Sequence, residues 1–379
     1  MLKDSPRRGG KPAIHAVILA GGAGERFWPA SRRHRPKPFL EVVGGRSLLD
    51  ATLARARRFA GPDRVWIVCG NEHARAVRDE SGLASGRVLV EPQRRNTAMA
   101  VAWAAARIAA DDPNAVMAVL PADHHIPDSR AFAAAIRRAG RAADRAGVLV
   151  TLGVRPTRPD TGYGYIQVGP ACGRSHPGLH EVRRFVEKPS LSRARGYLRG
   201  GRYLWNAGVF VWRAQTILEE IESHAPKLHR ALGPLRRSPK GRARAAIEAA
   251  YERAPSLPVD VAILEKSARV WTLPVEFAWS DVGTWDSLAD ELGVGKSAKA
   301  GDNARRDADG NCVIAGDVLL EGARTNLVWG GKRLVAMLGV EGLAVIDTDD
   351  VILITKLGQG SDVRRLVKAL KAGGRDELT

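Results

Sequence analysis

Residues 15–40 read HAVILAGGAGERFWPASRRHRPKPFL, and the fold follows from how that stretch divides. Ala16 to Ala20 is an unbroken apolar run, which predicts a strand buried on both faces. Gly21, Gly22 and Gly24 then let main-chain N–H groups approach an anion with no Cβ in the way. Arg26 and Lys37 add two fixed cations, and Pro36 and Pro38 stiffen the chain around Lys37. A buried strand, a glycine turn and two cations suit a polyphosphate. Two other glycine motifs do not fit. The dinucleotide fingerprint needs glycine where Phe27 stands, and the P-loop needs a Gly-Lys-Ser/Thr that is absent. The plain alternative is an ordinary strand-to-helix turn with surface cations.

The chain has 379 residues, long for one core, so two domains are expected. Its 45% hydrophobic and 26% charged content is that of a globular protein. No apolar run approaches the roughly 18–20 residues of a membrane span, so no membrane association is expected. Residues 1–13 carry cations, glycines and prolines without a hydrophobic segment, which predicts a disordered tail rather than a signal peptide. Three widely spaced cysteines (Cys69, Cys172, Cys312) argue against a disulfide framework and fit a cytoplasmic location. The net charge of +18 is spread along the chain, and arginine outnumbers lysine more than threefold. No nucleic-acid-binding motif accompanies it, so no nucleic-acid partner is expected; the basic surface suits anionic small substrates instead.

Beyond the opening stretch, apolar runs at Val65–Cys69, Val88–Val90, Ala115–Leu120 and Val148–Leu152 alternate with helical patterns at 47–59, 96–110 and 129–146. Ser47 and Asp50 form a capping pair for the first of these helices. The expected fold is α/β, a Rossmann-like, mainly parallel sheet with helices on both faces. Ligands in such sheets sit at the carboxyl ends of the strands. Three polar segments follow strands there: the glycine loop, Glu91 to Ala98, and Pro121-Ala122-Asp123-His124-His125. By themselves Asn96 and Thr97 read as a helix N-cap. Asp123 beside two histidines leaves a helix cap, a turn or a zinc site open, although adjacent side chains point in opposite directions.

Further on, Gly162 and Gly164 interrupt a β-type run, a sign of close approach by a ligand or another main chain. Phe185 to Pro189 ends a strand with Glu187 and Lys188. Asn206 interrupts the apolar strand Leu204–Val211 and is either a satisfied core amide or a reader of hydroxyls. Residues 215–266 read as helices and basic loops with little chemistry. Asp281, in Trp279-Ser280-Asp281-Val282-Gly283-Thr284, could cap the helix that starts near Thr284. A linker is expected at 293–303. Short strands from Cys312 to Thr355 and a helix over 361–372 predict a small β-rich C-terminal domain, too irregular in spacing for a long hexapeptide solenoid.

Gly-Gly-x-Gly-x-Arg followed by Pro-Lys-Pro-Phe resembles the signature of the sugar-nucleotide nucleotidyltransferases (pyrophosphorylases). The insert Phe27-Trp28-Pro29-Ala30-Ser31-Arg32 resembles that family's mannose-1-phosphate guanylyltransferase branch, and the ordered motifs extend the resemblance from Ile14 almost to the end. It implies a catalytic domain over 14–292 and a short helical-coil β domain over 304–379, with no isomerase domain. It implies catalytic roles for Arg26, Lys37, Asp123 and Asp281, the two aspartates holding Mg²⁺. It implies nucleotide contacts from Leu19, Ala20, Gly21, Gly22, Gly24, Glu25, Asn96 and Thr97, the resemblance of the Glu91–Ala98 segment to the guanylyl-transferring branch being the best pointer to guanine. Sugar-phosphate contacts are implied for Gly162, Gly164, Glu187, Lys188 and Asn206. His124 and His125 stay unassigned.

The implied reaction is GTP plus α-D-mannose 1-phosphate giving GDP-mannose and pyrophosphate, in a homodimer. The attacking phosphate has a second pKa of roughly 6, so no general base is required. Two rivals remain: another sugar 1-phosphate or nucleotide, or a regulatory subunit that binds sugar nucleotides without turnover. Retention of Arg26, Lys37, Asp123, Lys188 and Asp281 argues against the second.

Overall fold

The computed structural model describes residues 12–22, 24–42, 44–237, 243–296 and 304–379. The expected tail, apart from residues 12 and 13, and the expected linker beyond residue 296 lie outside the described residues. The described residues form two compact units. The first holds the chain up to Leu19 with Ala54–Pro121 and Asp128–Ala278; the second holds Ala20–Leu53, Ala122–Pro127 and Trp279–Thr379.

In the first unit the apolar run forms β1 (Ile14–Ala20), beside β2 (Val65–Gly70), β3 (Val88–Glu91) and β4 (Val116–Pro121), in the order β3-β2-β1-β4. The β1–β4 and β2–β3 pairings are parallel. Helices α1 (Leu48–Arg57), α2 (Ala74–Ser81) and α3 (Asn96–Ala109) supply the crossovers. Ser47 Oγ accepts the Asp50 N–H at 2.9 Å, so the expected cap of α1 is present.

Alternation of side chains gives this part of the sheet two apolar faces. Val17, Val68, Met117 and Val119 belong to one buried cluster with Met99, Val101 and most of the other residues of α3. Ile14 and Val116 face α4 (Ser129–Ala146), where a Cβ on Gly140 would stand 2.8 Å from Ile14 Cδ1. Helix and sheet can approach this closely only because residue 140 has no side chain.

After β4 the sheet departs from the mainly parallel expectation. β5 (Leu149–Val154), β6 (Tyr165–Ala171), β7 (His180–Val186), β8 (Tyr203–Arg213) and β9 (Val270–Val275) extend it in the order β4-β8-β5-β9-β7-β6. β8 runs antiparallel to β4, β5 and β6, and β7 antiparallel to β6 and β9; only β5–β9 is parallel. The reason is visible in the connections. No helix stands between β6 and β7, so the chain turns straight back there and the two strands pair antiparallel. The sheet is therefore mixed.

β8 also changes register against β5 between Thr151 and Gly153, and Gly208 takes φ +65°. That irregularity re-aims Asn206, as bulges do beside sites. Helices α5 (Leu191–Gly200), α6 (Ala214–His224), α7 (Pro226–Ala231), α8 (Gly233–Arg237) and α9 (Arg244–Arg253) and a π-helical turn, Asp260–Leu264, complete the unit.

In the second unit α10 (Trp285–Leu292) precedes a coil of short strands. β10 (Arg305–Arg306) pairs antiparallel with β11 (Cys312–Ala315). β11, β13 (Leu327–Trp329) and β15 (Leu343–Asp347) stack in parallel, as do β12 (Val318–Glu321) and β14 (Val335–Leu338). β16 (Ile352–Lys356) closes the stack antiparallel to β15, and α11 (Val363–Ala372) follows. Buried Asn311 and Asn326 join successive turns: Asn311 Oδ1 accepts from Asn326 N and Nδ2, and Asn326 Oδ1 accepts from Leu343 N.

The coil shares one core with the loop after β1. Phe27, Trp28, Leu40, Trp285, Leu327, Ile346 and Val363 belong to the same buried cluster. No helix among the described residues is long and apolar enough to cross a membrane.

Candidate active site

The loop after β1 uses its glycines differently. Gly24 has φ +64°, and a Cβ there would stand 2.6 Å from Lys37 Cβ, whereas a Cβ on Gly22 would meet nothing within 4 Å. Gly24 brings the two limbs of the loop together, and Gly22 leaves space. The Gly24 carbonyl accepts the Phe27 N–H at 2.8 Å and the Ser31 hydroxyl at 2.6 Å, closing the turn that carries half-buried Arg26. Glu25 is engaged by Lys371 of α11 at 2.9 Å. Leu19 and Ala20 end β1, and Gly21 follows directly.

Lys37 is 5% exposed, and its ammonium donates to Asp123 Oδ2 at 2.8 Å and to the Asp281 carbonyl at 2.6 Å. Burial alone would raise the Asp123 pKa, but the Lys37 charge, His124 and the Lys37 hydrogen bond outweigh it and hold the carboxyl below its usual range. The Asp123 side chain keeps 29% exposure, so it can also meet a ligand.

Asp281 is not a helix cap: Thr284 caps α10 through a reciprocal bond with Ser287. Asp281 Oδ1 instead accepts the Gly283 N–H at 3.1 Å, and a Cβ on Gly283 would clash at 2.6 Å with Asp281 Oδ2. Between them Val282, a β-branched residue, has φ +43°. Such strain persists only where its surroundings enforce it, commonly at functional sites.

The neighbouring histidines are committed elsewhere. His124 Nδ1 accepts the Trp279 indole N–H at 3.2 Å, and His125 Nε2 lies 3.2 Å from Glu291. Among the described residues no group of three or more His, Cys, Asp or Glu side chains could hold a metal ion.

The first unit gathers the other predicted residues. A Cβ on Gly164 would stand 2.7 Å from Glu187 Oε2 and 3.3 Å from Asn206 Cβ, so glycine is what lets these three meet. The Gly162 N–H donates to Asp160 Oδ1 at 2.8 Å. Lys188 has φ +45° and pairs with Glu187 at 2.9 Å. Asn206 Oδ1 accepts from Thr151 Oγ1 at 2.8 Å and from the Gly208 N–H at 3.2 Å, while its Nδ2 donates to Asp260 Oδ1 at 2.9 Å. The amide orientation is therefore set, and one N–H remains to meet a hydroxyl oxygen.

Two residues in this group were passed over in the sequence, where 215–266 carried little chemistry. Asp260 holds Asn206, and Glu265 Oε1 accepts the Glu187 N–H at 2.9 Å. Burial first, then the Glu187 charge, pushes the Asp260 carboxyl up to about 7. A usable signal was an acid at each end of the apolar run Val261–Leu264, on the π-helical turn.

The Glu91–Ala98 segment is tied to the same stretch. Asn96 is exposed at φ +61°, and its side chain caps only the neighbouring Thr97 N–H at 2.8 Å. Thr97 Oγ1 accepts the Val259 N–H at 2.9 Å, and Arg95 Nε donates to the Tyr251 carbonyl at 2.7 Å. The Tyr251 hydroxyl donates to Glu91 at 3.1 Å, and burial pushes the Glu91 carboxyl up to about 7.

The nucleotidyl transferase family model matches residues 15–293, and a model described as a MannoseP isomerase/GMP-like beta-helix domain matches 316–370. The alginate biosynthesis protein AlgA of Pseudomonas aeruginosa is 38% identical over 95% of this chain and 73% of its own length. A mannose-1-phosphate guanylyltransferase of Escherichia coli is 36% identical over 96% of this chain and 75% of its own. A crystal structure from Thermus thermophilus, described as a mannose-1-phosphate geranyltransferase, superposes with a TM-score of 0.83 at 35% identity, covering 94% of this chain and 99% of that one.

Proposed function

The chain belongs to the nucleotidyl transferase family, and from that premise we propose that it transfers the guanylyl group of GTP to α-D-mannose 1-phosphate, giving GDP-mannose and pyrophosphate. Relatives named mannose-1-phosphate guanylyltransferase, at 36% and 37% identity over nearly the whole chain, support the choice of both substrates. The observation that carries the chemistry is the buried Lys37 ammonium between Asp123 and the Asp281 carbonyl, in the unit that also holds the glycine loop.

The attacking sugar phosphate is ionised at neutral pH, so the task is to bring anions together and release one. Positioning and charge neutralisation supply that. Lys37, Arg26 and the N–H groups of the glycine loop take the phosphates of GTP and the departing pyrophosphate. Lys188 holds the attacking phosphate. The free Asn206 N–H and Glu187 engage hydroxyls of the sugar, and Asp260 keeps the amide oriented.

Asp123 and Asp281 are the residues that would hold Mg²⁺. Both offer hard oxygen donors, and the Asp123 side chain keeps 29% exposure through which a ligand can reach it. Bound there, Mg²⁺ would neutralise charge on the nucleotide phosphates.

The test is pyrophosphate release measured across GTP, ATP and UTP against mannose 1-phosphate and other hexose 1-phosphates. GTP with mannose 1-phosphate should give the highest kcat/KM. Equal efficiency with UTP would remove the guanylyl assignment.

A further inference from the structure

The Lys37 contacts have a consequence for metal binding that rests on the reading of Asp123 and Asp281 as metal ligands. Lys37 Nζ lies 2.8 Å from Asp123 Oδ2 and 2.6 Å from the Asp281 carbonyl, with only 5% of the residue exposed. A Mg²⁺ ion takes its oxygen ligands at roughly 2.0–2.1 Å. An ion on Asp123 Oδ2 would thus press directly on the ammonium, and two cations at such a distance repel strongly in a partly buried site. Lys37 is held in place: Gly24 packs against its Cβ, and prolines flank it. Nor can the ammonium leave cheaply, because a buried charge without a partner is costly. It needs another anion to go to.

We propose that Lys37 and a divalent metal exchange on the Asp123 carboxylate, the lysine yielding when a nucleotide phosphate takes its ammonium. Before the exchange, Lys37 neutralises Asp123. Afterwards the metal neutralises the aspartates, and Lys37 neutralises phosphate. Every buried charge keeps a partner in both arrangements. Metal and nucleotide consequently bind as a pair, and each strengthens the other by the same factor. Lys37 is then the device that keeps the metal position closed to free divalent ions.

Binding of Mn²⁺, followed by electron paramagnetic resonance, tests the exchange without turnover. Wild type, Lys37→Gln and Lys37→Met are titrated without nucleotide. Wild type is also titrated with a non-hydrolysable GTP analogue, corrected by titration of the analogue alone. The variants without nucleotide should bind Mn²⁺ at least tenfold more tightly than wild type, and the analogue should bring wild type to a similar affinity. An unchanged wild-type affinity with the analogue decides against the exchange even if both variants misfold; because phosphate oxygens also ligate Mn²⁺, support comes from the tighter binding of the Lys37 variants without nucleotide. Wild-type Mn²⁺ affinity that is measurable and unchanged by the analogue or by loss of Lys37 overturns the exchange alone. No Mn²⁺ binding in any arm overturns it together with the assignment of Asp123 and Asp281 to a metal.

Discussion

Gly24 and Lys37 stand so close that a Cβ on residue 24 would lie 2.6 Å from Lys37 Cβ, and Gly24 holds φ at +64°. Both facts require glycine at this position. Gly24→Ala should cost about 1–3 kcal/mol of stability through strain and should lower kcat/KM for GTP by displacing Lys37. Gly22→Ala is the contrast, since a Cβ there meets no protein atom within 4 Å. It should change stability by less than about 0.5 kcal/mol yet still impair GTP use, because the methyl enters the ligand's space. Thermal unfolding with GTP kinetics on both variants separates the two effects. An unchanged melting temperature in Gly24→Ala would count against the packing argument.

Asp123 and Asp281 should act as one unit. Asp123→Ala and Asp281→Ala are each expected to remove most turnover, and the double variant should be little worse than either. Mg²⁺ titrations of kcat on the three proteins decide this. Fully additive losses would mean that the two acids serve separate steps.

Lys188, 59% exposed in its side chain, is strained at φ +45° and pairs with Glu187 at 2.9 Å, which leaves its ammonium open to an anionic ligand. Lys188→Ala should therefore raise KM for mannose 1-phosphate by about tenfold or more, the weight of a lost charge-assisted contact, and leave KM for GTP little changed. Steady-state kinetics in both substrates read the split. If the GTP constant moved instead, the residue would belong to the nucleotide.

Glu91 and Asp260 make stability pH-dependent in a defined direction. Both carboxyls are pushed up to about 7 in the folded protein, from ordinary values near 4.5 and 3.8. A group raised in this way binds more protons folded than unfolded between those limits, so stability falls as pH rises through the window. Urea unfolding should show a loss of about 1–3 kcal/mol between pH 5 and 8 attributable to Glu91. Glu91→Gln, which keeps an acceptor for the Tyr251 hydroxyl, should remove that part of the slope. An identical slope in the variant would contradict the burial argument.

Arg32 is 7% exposed and donates to the Pro29 carbonyl, to both oxygens of Asp350 and to the Leu378 carbonyl. Trp28 adds an indole bond to the same Leu378 carbonyl at 2.6 Å. Arg32→Ala strands these partners and should destabilise the second unit by about 2–4 kcal/mol. Its Asp350 partner is depressed below the usual carboxylate range, the pull of Arg32 outweighing burial. That contribution is complete above the unfolded value and disappears as pH falls through the folded one, so the destabilisation by Arg32→Ala should shrink in acid. Melting curves at neutral and acid pH provide the check.

Much of this was legible in the residues alone, for a local reason. β1 and the turn at Gly24 follow from an apolar run and a glycine, and the Ser47 cap from a hydroxyl three residues before Asp50. Short-range signals of this kind record what a segment can do wherever it is placed. The parallel half of the sheet was readable because helices separate its strands; the sequence led to a mainly parallel sheet throughout, and the mixed half was not legible because β8 pairs antiparallel with three strands at once, which no spacing announces. Asp260 and Glu265 became visible only when folding set them against Asn206 and Glu187. The Phe27–Arg32 insert read as a family mark, and only the tertiary structure makes it the seat of the last turn of the chain, through bonds from Trp28 and Arg32 to Leu378. Those partners are more than 340 residues apart in the chain. A bond across that separation is decided by how whole elements pack, and one sequence carries no local trace of it.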